Sequence, residues 1–225
     1  MKIKVWGTQV RIVHIVILLL ATAALCRAEL ITIGLTAVVT DVDDESNWLQ
    51  GQIQTGNTIT GYYTYDFATP DTNPEIDVGL YQHHLSPCGV SLSLPSFVFS
   101  TDYNNVQFNI GITNNLSGDP LDVYSFRSYN NLSIADSIPI HEISWQLYDY
   151  TGIAFSNTDL PTIAPILSDF QYDYLYISGG QKSEARPFEF LITGHVTYVQ
   201  VVPEPATVSM VVLGILLISR KSKKG

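Results

Sequence analysis

Four carboxylates fall within five residues near the beginning of the chain: Asp41, Asp43, Asp44 and Glu45. Carboxylate oxygens are the ligands that Ca²⁺ prefers in proteins, so this acidic run is a candidate calcium site. The ligand spacing and the central glycine of an EF-hand loop are missing. A solvated loop that ends the first strand is therefore the favoured interpretation, with calcium as the alternative. No other cofactor is expected.

Tyrosine is abundant, with 13 residues in the chain. Tyr172, Tyr174 and Tyr176 alternate within one predicted strand, and alternate residues of a strand share a face. An exposed row of aromatic rings could stack against sugar rings, which would make the domain a carbohydrate-binding module. Tyrosine is also a favoured strand residue that buries its ring and leaves its hydroxyl near water. Cross-strand packing is therefore the first interpretation of this row, and glycan stacking is the second.

The histidines do not form a metal-ligand motif. His83 and His84 are adjacent in a predicted strand, so their side chains point to opposite faces and cannot easily hold one metal ion. We expect both to be surface or edge residues. His141 and His195 are single residues in strands, which is typical of structural histidines.

No motif of nucleophilic or acid–base catalysis stands out. The chain has no Gly-x-Ser-x-Gly nucleophile elbow and no cysteine–histidine signature. Its many carboxylates permit many pairs for glycoside hydrolysis, but no spacing selects one of them. Phosphate-binding glycine loops are also missing. We therefore predict that the protein is not an enzyme, with a secreted hydrolase as a remote alternative.

Residues 1–28 have the pattern of a secretory signal peptide. Basic residues within the first eleven positions precede an apolar run at residues 12–25. Cys26 and Ala28 then place small side chains at the two positions that signal peptidase requires. Cleavage is predicted between Ala28 and Glu29. An uncleaved membrane anchor is the alternative, but the apolar run is short for a transmembrane helix.

The carboxyl end combines three features in order. Pro203, Glu204 and Pro205 come first, and the two prolines keep this segment out of helices and sheet interiors. The uncharged residues 206–218 follow as a short transmembrane segment. As a helix at ~1.5 Å per residue they reach only about 20 Å, against ~30 Å for the hydrocarbon core of a bilayer. The chain ends in a basic segment that can reach the cytoplasmic headgroups, formed by Arg220, Lys221, Lys223 and Lys224.

This order of Pro-Glu-Pro, apolar span and basic end resembles the PEP-CTERM sorting signal, with Pro203, Glu204 and Pro205 as the matching motif. The resemblance implies a Gram-negative producer of exopolysaccharide and a membrane enzyme, an exosortase, that recognises the motif. It also implies that the protein is held in the membrane before processing and lies at the cell surface or in the extracellular matrix afterwards. Exosortase, signal peptidase, the membrane and exopolysaccharide are thus the expected partners. An ordinary tail anchor is the alternative.

Charge is divided unevenly along the chain, whose net charge is −10. Residues 29–202 hold twenty acidic residues against three basic ones, whereas both terminal segments are positive. Because positive flanks stay on the cytoplasmic side, the acidic middle is predicted to be exported. Its negative field disfavours nucleic acid as a partner. Removal of the signal peptide leaves Cys88 as the remaining cysteine, which we expect to be a buried, quiet thiol, with a reactive or intermolecular thiol as the alternative.

Residues 29–202 are predicted to form one all-β domain. Short alternating runs separated by turn-forming residues recur here, and no stretch of ten or more residues shows a helical apolar period. Strands are predicted near residues 31–39, 58–66, 76–82, 90–94, 97–101, 106–113, 123–128, 142–148, 170–178 and 188–199. The expected architecture is an antiparallel two-sheet β-sandwich like a jelly roll, flanked by the signal peptide and the C-terminal sorting helix.

Three segments of this region, at residues 56–66, 68–74 and 156–162, resemble the β-rich bodies that precede PEP-CTERM tails. The resemblance implies a class of protein but no activity. We therefore predict an exported surface or matrix protein with a structural or adhesive role in exopolysaccharide. A carbohydrate-binding module, suggested by the tyrosines, is the alternative.

Overall fold

The computed structural model describes residues 30–116, 119–135, 138–181 and 188–203. The predictions for the signal peptide and for most of the sorting signal concern residues 1–29 and 204–225, which lie outside this part. The strands are β1 Leu30–Asp43, β2 Thr58–Asp66, β3 Val78–His83, β4 Gly89–Ser93, β5 Val98–Ser100, β6 Phe108–Thr113, β7 Asp122–Ser128, β8 Ile140–Asp149, β9 Tyr172–Gly179 and β10 Phe190–Val201. A 3₁₀ turn at Leu167–Asp169 is the one helical element of the described chain, and nothing in that part is a helix of the length and apolarity needed to span a bilayer.

All ten strands that the alternation predicts are present, and neighbouring strands are antiparallel. In β6, for example, alternate residues of Phe108–Thr113 are buried.

The end of β1 differs from the prediction. Asp41 and Asp43 continue the strand opposite Thr193 and Leu191 of β10 instead of opening a loop. The reason is that β10 is long enough to supply hydrogen-bonding partners for this acidic end.

The strands form one continuous sheet with the order β3–β6–β7–β8–β9–β10–β1–β2–β4–β5. An antiparallel all-β domain is therefore confirmed, but the described strands are not divided into the two sheets that we predicted. The long strands β1 and β10 are the cause, because they pair with each other and also with β2 and β9. Hydrogen bonds thus join the two halves that a sandwich keeps apart.

The sheet curls so that its two halves pack across one apolar core. The ring of Tyr63 on β2 lies 4.7 Å from the ring of Phe126 on β7, and its hydroxyl is 2.9 Å from the hydroxyl of Tyr124. These contacts cross the core, since β2 and β7 are not neighbours in the sheet. Trp145 on β8 joins the same cluster and is fully buried. We call the side that faces this core the inner face and the opposite side the outer face.

Both edge strands are covered by loops. On β3, the carbonyl of Leu80 accepts the N–H of Thr72 at 2.9 Å, and the N–H of Leu80 donates to the Asp71 carboxylate at 2.8 Å. On β5, the carbonyl of Ser100 accepts the N–H of Leu132 at 2.8 Å. Covered edges resist pairing with another chain. The outer face of the sheet is thus more accessible to a partner than its two edges are.

Candidate functional site

Tyrosines gather on the outer face where β8 and β9 run side by side. The predicted row of Tyr172, Tyr174 and Tyr176 alternates along β9 with residues that are more deeply buried, and its rings share one face. Strand pairing places Tyr148 of β8 opposite Tyr172, and Tyr150 follows at the end of β8. We call these five residues the tyrosine surface.

The rings of the tyrosine surface form two stacks that meet at right angles. Tyr172, Tyr174 and Tyr176 have successive ring centroids 6.3 and 5.9 Å apart, with planes within 11° of parallel. Tyr148 and Tyr150 are 6.3 Å apart and 14° from parallel. Tyr150 meets Tyr172 at 90°, and these two residues are 56% and 50% exposed. The surface is therefore most open to solvent where the two stacks meet.

A buried carboxylate fixes the end of β8 that carries Tyr150. Asp149 accepts hydrogen bonds from three backbone N–H groups of the following turn and from the side-chain amide of Gln171. Burial raises the pKa of Asp149, but these bonds and one from the Thr151 hydroxyl outweigh burial and hold the pKa below its ordinary value. The oxygen of the Gln171 side chain accepts the N–H of Tyr150 at 2.6 Å. The turn thus positions Tyr150 through a continuous set of hydrogen bonds.

Two hydroxyls of the tyrosine surface, those of Tyr148 and Tyr176, are uncharged and can donate hydrogen bonds. The Tyr148 hydroxyl donates to the side-chain oxygen of Gln146. Burial, together with the neighbouring phenols, raises the pKa of Tyr176. Burial also raises the pKa of Tyr148, although the positive charge of Arg127 opposes it. Both phenols are therefore protonated at neutral pH, so they combine an apolar ring with a hydrogen-bonding group.

A groove of about 450 Å³ opens beside Tyr176. This volume lies within the range of ligand pockets, about 300–1,000 Å³. A register shift between Ile140 and Glu142 brings two consecutive residues of β8 to the groove. We call it the polar groove, and its lining includes His141, Glu142, Ser144, Gln146, Tyr129, Tyr176 and Phe188.

Two side chains of the polar groove differ in their hydrogen bonding. Nε2 of His141 lies 2.6 Å from the carbonyl oxygen of Gly180, and it must carry a proton because a carbonyl only accepts. The hydroxyl of Ser144 is buried and has no hydrogen-bond partner, and the residue is 1% exposed. Leaving a buried hydroxyl unpaired costs about 1–3 kcal/mol. The Ser144 hydroxyl could therefore gain a hydrogen bond from a ligand, whereas Nε2 of His141 already has a partner.

Charge is nearly balanced beside the polar groove, although the described residues as a whole are strongly acidic. Arg127 is the single lysine or arginine among them, against seventeen carboxylates, and it lies opposite Ser144 on β7. Burial lowers the pKa of Arg127, but a hydrogen bond with Tyr129 and the attraction of Glu142 outweigh it and raise the pKa. The guanidinium of Arg127 therefore stays charged, and it offsets the negative charge of Glu142.

The acidic run does not form one cluster in the structure. Asp41 and Asp43 lie in β1, and Asp44 begins the turn that follows. The two carboxylate oxygens of Asp44 accept the N–H groups of Trp48 and Leu49 at 2.7 and 2.8 Å. Within the described ranges, no group of three or more histidine, cysteine, aspartate or glutamate residues is placed to hold a metal ion. Calcium binding at this run stays a prediction.

The adjacent histidines face opposite ways, as predicted, but one of them is not a surface residue. His83 is 3% exposed and lies near the rings of Tyr65 and Phe108, whereas His84 is exposed. His83 does lie on an edge strand, as one of the two predicted alternatives has it, but its side chain is not at the surface, because pairing of β3 with β6 turns it toward the core. Burial lowers the pKa of His83 to about 4, so its imidazole is neutral at physiological pH.

A second depression, of about 390 Å³, lies beyond Tyr172 and includes Asp173 and His195. Oδ1 of Asp173 accepts the indole N–H of Trp145 at 2.7 Å. Its Oδ2 accepts the N–H of Val196 at 2.8 Å and lies 3.3 Å from Nδ1 of His195. Burial nevertheless raises the pKa of Asp173 to about 6. Its contacts join β8, β9 and β10, which gives Asp173 a structural role.

Cys88 and Pro203 are two further residues that the sequence singles out. Cys88 is buried, as predicted, and burial raises the pKa of its thiol to about 11, which keeps the thiol protonated. Pro203 is exposed just beyond β10, after Val202, whose N–H donates to a carbonyl of β1 at 2.8 Å. The other residues of the sorting motif, Glu204 and Pro205, lie outside the described part.

Comparison of the chain with protein-family models, with curated proteins and with solved structures found no match. The tyrosine surface and the polar groove are therefore interpreted from their own geometry. Together they form an aromatic surface that is continuous with a polar depression, and this combination suits a ligand with both apolar and hydroxyl-bearing sides.

Sequence reasoning identifies only part of this site. The β9 tyrosines are found because their alternation is local, whereas the polar groove depends on which strand lies beside β9. A usable signal was present in β8, where Glu142, Ser144 and Gln146 alternate with large apolar residues. That alternation places them on the outer face, but it does not say that β9 is the neighbouring strand.

Proposed function

We propose that this protein is an exported surface or extracellular-matrix protein whose β domain adheres to polysaccharide through the tyrosine surface. The supporting observation is the gathering of five tyrosines on the outer face, with Tyr150 and Tyr172 about half exposed. Carbohydrate binding is the form of adhesion that best suits aromatic rings beside a polar groove. Export and exosortase sorting are part of the proposal and rest on the two terminal sequences.

Sugar rings match the chemistry of this surface. Their C–H groups form apolar patches that pack on aromatic rings, and their hydroxyls both donate and accept hydrogen bonds. Pairs of aromatic rings contribute about 0.5–1.5 kcal/mol each beyond the burial of area, and we expect a sugar ring packed on a tyrosine to contribute on that order. Because three rings follow one another along β9 at 6.3 and 5.9 Å, an extended polysaccharide can contact several of them. The weak contacts of one polysaccharide chain with several tyrosines then add up to a measurable affinity.

The binding proposal is tested with the full-length chain in mild detergent, on neutral and acidic polysaccharides, by affinity electrophoresis and titration calorimetry. The double substitution Tyr172→Ala/Tyr174→Ala should weaken binding about 10-fold or more, because two aromatic contacts are lost. Tyr198→Ala is the matched control, since Tyr198 is 53% exposed on β10 and Tyr172 is 50% exposed. The control should bind like the parent. Equal binding by all three proteins, or none by the parent, would refute the proposal.

The sorting proposal is tested by mass spectrometry of the protein recovered from cells that export it. The mature chain should begin at Glu29 and end between Pro203 and Ala206. Glu204→Ala should leave the chain in the membrane fraction, whereas Glu75→Ala, which alters an exposed acidic residue outside the motif, should be processed normally. A parent chain that is intact to Gly225 would rule out processing.

A further inference from the structure

We infer that the polar groove is the specificity subsite of the tyrosine surface and that it binds the hydroxyl groups of an uncharged polysaccharide. The inference deepens the proposed function and rests on it. The groups that would make the contacts are the Ser144 hydroxyl, the Glu142 carboxylate and the Gln146 amide, which all line the groove. Affinity would come mainly from the tyrosines, and selectivity from these three groups.

The groove and the tyrosine surface are physically continuous. The ring of Tyr176 is the last of the β9 stack, and it also lines the groove. Ser144 lies opposite Tyr176, and Gln146 lies opposite Tyr174. A polysaccharide laid along the outer face of β9 would therefore pass from the rings directly to the polar side chains.

The hydroxyl of Ser144 is the observation that points to a ligand. It is buried without a partner, although buried polar groups of native proteins are nearly always hydrogen-bonded. A sugar hydroxyl is both donor and acceptor, so it can pair with Ser144 in either orientation. Tyr176 and Gln146 lie beside Ser144 and must change rotamer to admit the ligand. Side chains near the surface do this within nanoseconds.

The charges favour an uncharged occupant. Seventeen carboxylates in the described residues repel polyanions, and the single arginine there, Arg127, interacts with Tyr129 and Glu142 instead of standing alone. The same carboxylates attract polycations to the domain as a whole, but within the groove a polycation would meet one carboxylate, Glu142, whose charge Arg127 offsets. What the groove offers is a set of hydroxyl-sized donors and acceptors. A neutral sugar fits this set better than either kind of charged sugar.

The test measures binding of the full-length chain to three probes: a panel of neutral glucans, mannans and galactans, a uronic-acid polymer, and a partly deacetylated amino-sugar polymer. The parent should bind a neutral member of the panel and neither charged polymer. Ser144→Ala should weaken that binding about 3- to 10-fold, the effect of one hydrogen bond. Its melting temperature should not fall, because the substitution removes an unpaired buried hydroxyl. Ser91→Ala, which alters a half-buried serine of β4, is the control and should change neither quantity.

The outcomes separate the inference from the proposed function. Neutral binding that Ser144→Ala leaves unchanged, while Tyr172→Ala/Tyr174→Ala abolishes it, overturns the subsite and keeps the tyrosine surface. Preferential binding of the uronic-acid or amino-sugar polymer overturns the uncharged occupant. No binding to any probe overturns the proposed function and this inference with it.

Discussion

Tyr63 and Tyr172 are the same type of residue on opposite faces of one sheet, and they differ in exposure and in the residues that surround their rings. Tyr63 is fully buried, with its ring 4.7 Å from Phe126 and its hydroxyl 2.9 Å from that of Tyr124. Tyr172 is 50% exposed, and its ring neighbours are the other exposed or half-buried tyrosines Tyr150 and Tyr174. The inner ring contributes to stability, and the outer ring is available to a ligand.

The two faces also differ in the hydrogen bonding of particular buried hydroxyls. On the inner face, burial raises the pKa of Tyr63 and of Tyr124 well above the ordinary value, and the two hydroxyls bond each other. On the outer face, the hydroxyl of Ser144 is left without any partner. The Tyr63–Tyr124 pair therefore needs no ligand, whereas Ser144 on the outer face can gain a hydrogen bond by binding one.

Removal of the largest inner-face ring should have the largest effect. Trp145→Ala should lower the free energy of unfolding by about 3–5 kcal/mol, because it opens a cavity in the core and removes the indole N–H that Asp173 accepts. Urea unfolding followed by circular dichroism measures this loss. A loss as small as that of an outer-face substitution would contradict the division between the faces.

The second prediction concerns Asp173, whose carboxylate accepts a hydrogen bond from Trp145 of the inner face. Its pKa of about 6 in the folded protein exceeds the ordinary 3.8, so the folded state binds the proton more tightly than the unfolded state does. The stability from this group is full below pH about 4 and is lost as the pH rises through about 6. The loss is about 3 kcal/mol at most.

Asp173→Asn isolates this effect from those of the other carboxylates. Urea unfolding of the parent and of the variant between pH 4 and pH 7 should show a smaller decline in stability for the variant. Equal pH dependences would show that Asp173 does not titrate as described. Asp149 acts in the opposite sense, since its lowered pKa gives stability that is lost as the pH falls, and it is common to both proteins.

The third prediction tests whether the inner hydroxyls satisfy each other. Tyr63→Phe should cost about 1–3 kcal/mol, because it leaves the buried hydroxyl of Tyr124 without its partner. Adding Tyr124→Phe should recover much of that loss, since neither hydroxyl then remains. A double-mutant cycle from urea unfolding gives the coupling energy. Additive losses would mean that the two hydroxyls are not coupled.

The smallest effects on stability should come from the outer face. Tyr172→Ala should lower the free energy of unfolding by about 0.5–1 kcal/mol through its lost ring contacts, and Tyr198→Ala by less than about 0.5 kcal/mol. Thermal unfolding of both variants measures this. A loss near that of Trp145→Ala would make the tyrosine surface part of the folding core and weaken its assignment to binding.

Local pattern explains why the strands can be predicted and why some of their details cannot. Alternation identifies all ten strands, but β1 runs on to Asp43 because β10 pairs with it there. His83 is predicted to be a surface or edge residue; it lies on the edge strand β3, but the pairing of β3 with β6 turns its side chain toward the core. Both differences come from partners that are distant in sequence, which alternation within one strand does not reveal.

The sequence by itself determined that the domain is all β and that Tyr172, Tyr174 and Tyr176 share a face, because a period of two residues is a property of the strand alone. The tertiary structure decided that the strands join in one curled sheet. It also decided that β8 lies beside β9, which brings Tyr148 to Tyr172 and Ser144 to Tyr176. Strand order and register depend on the packing of the whole chain, so the tyrosine surface and the polar groove exist only in the folded protein.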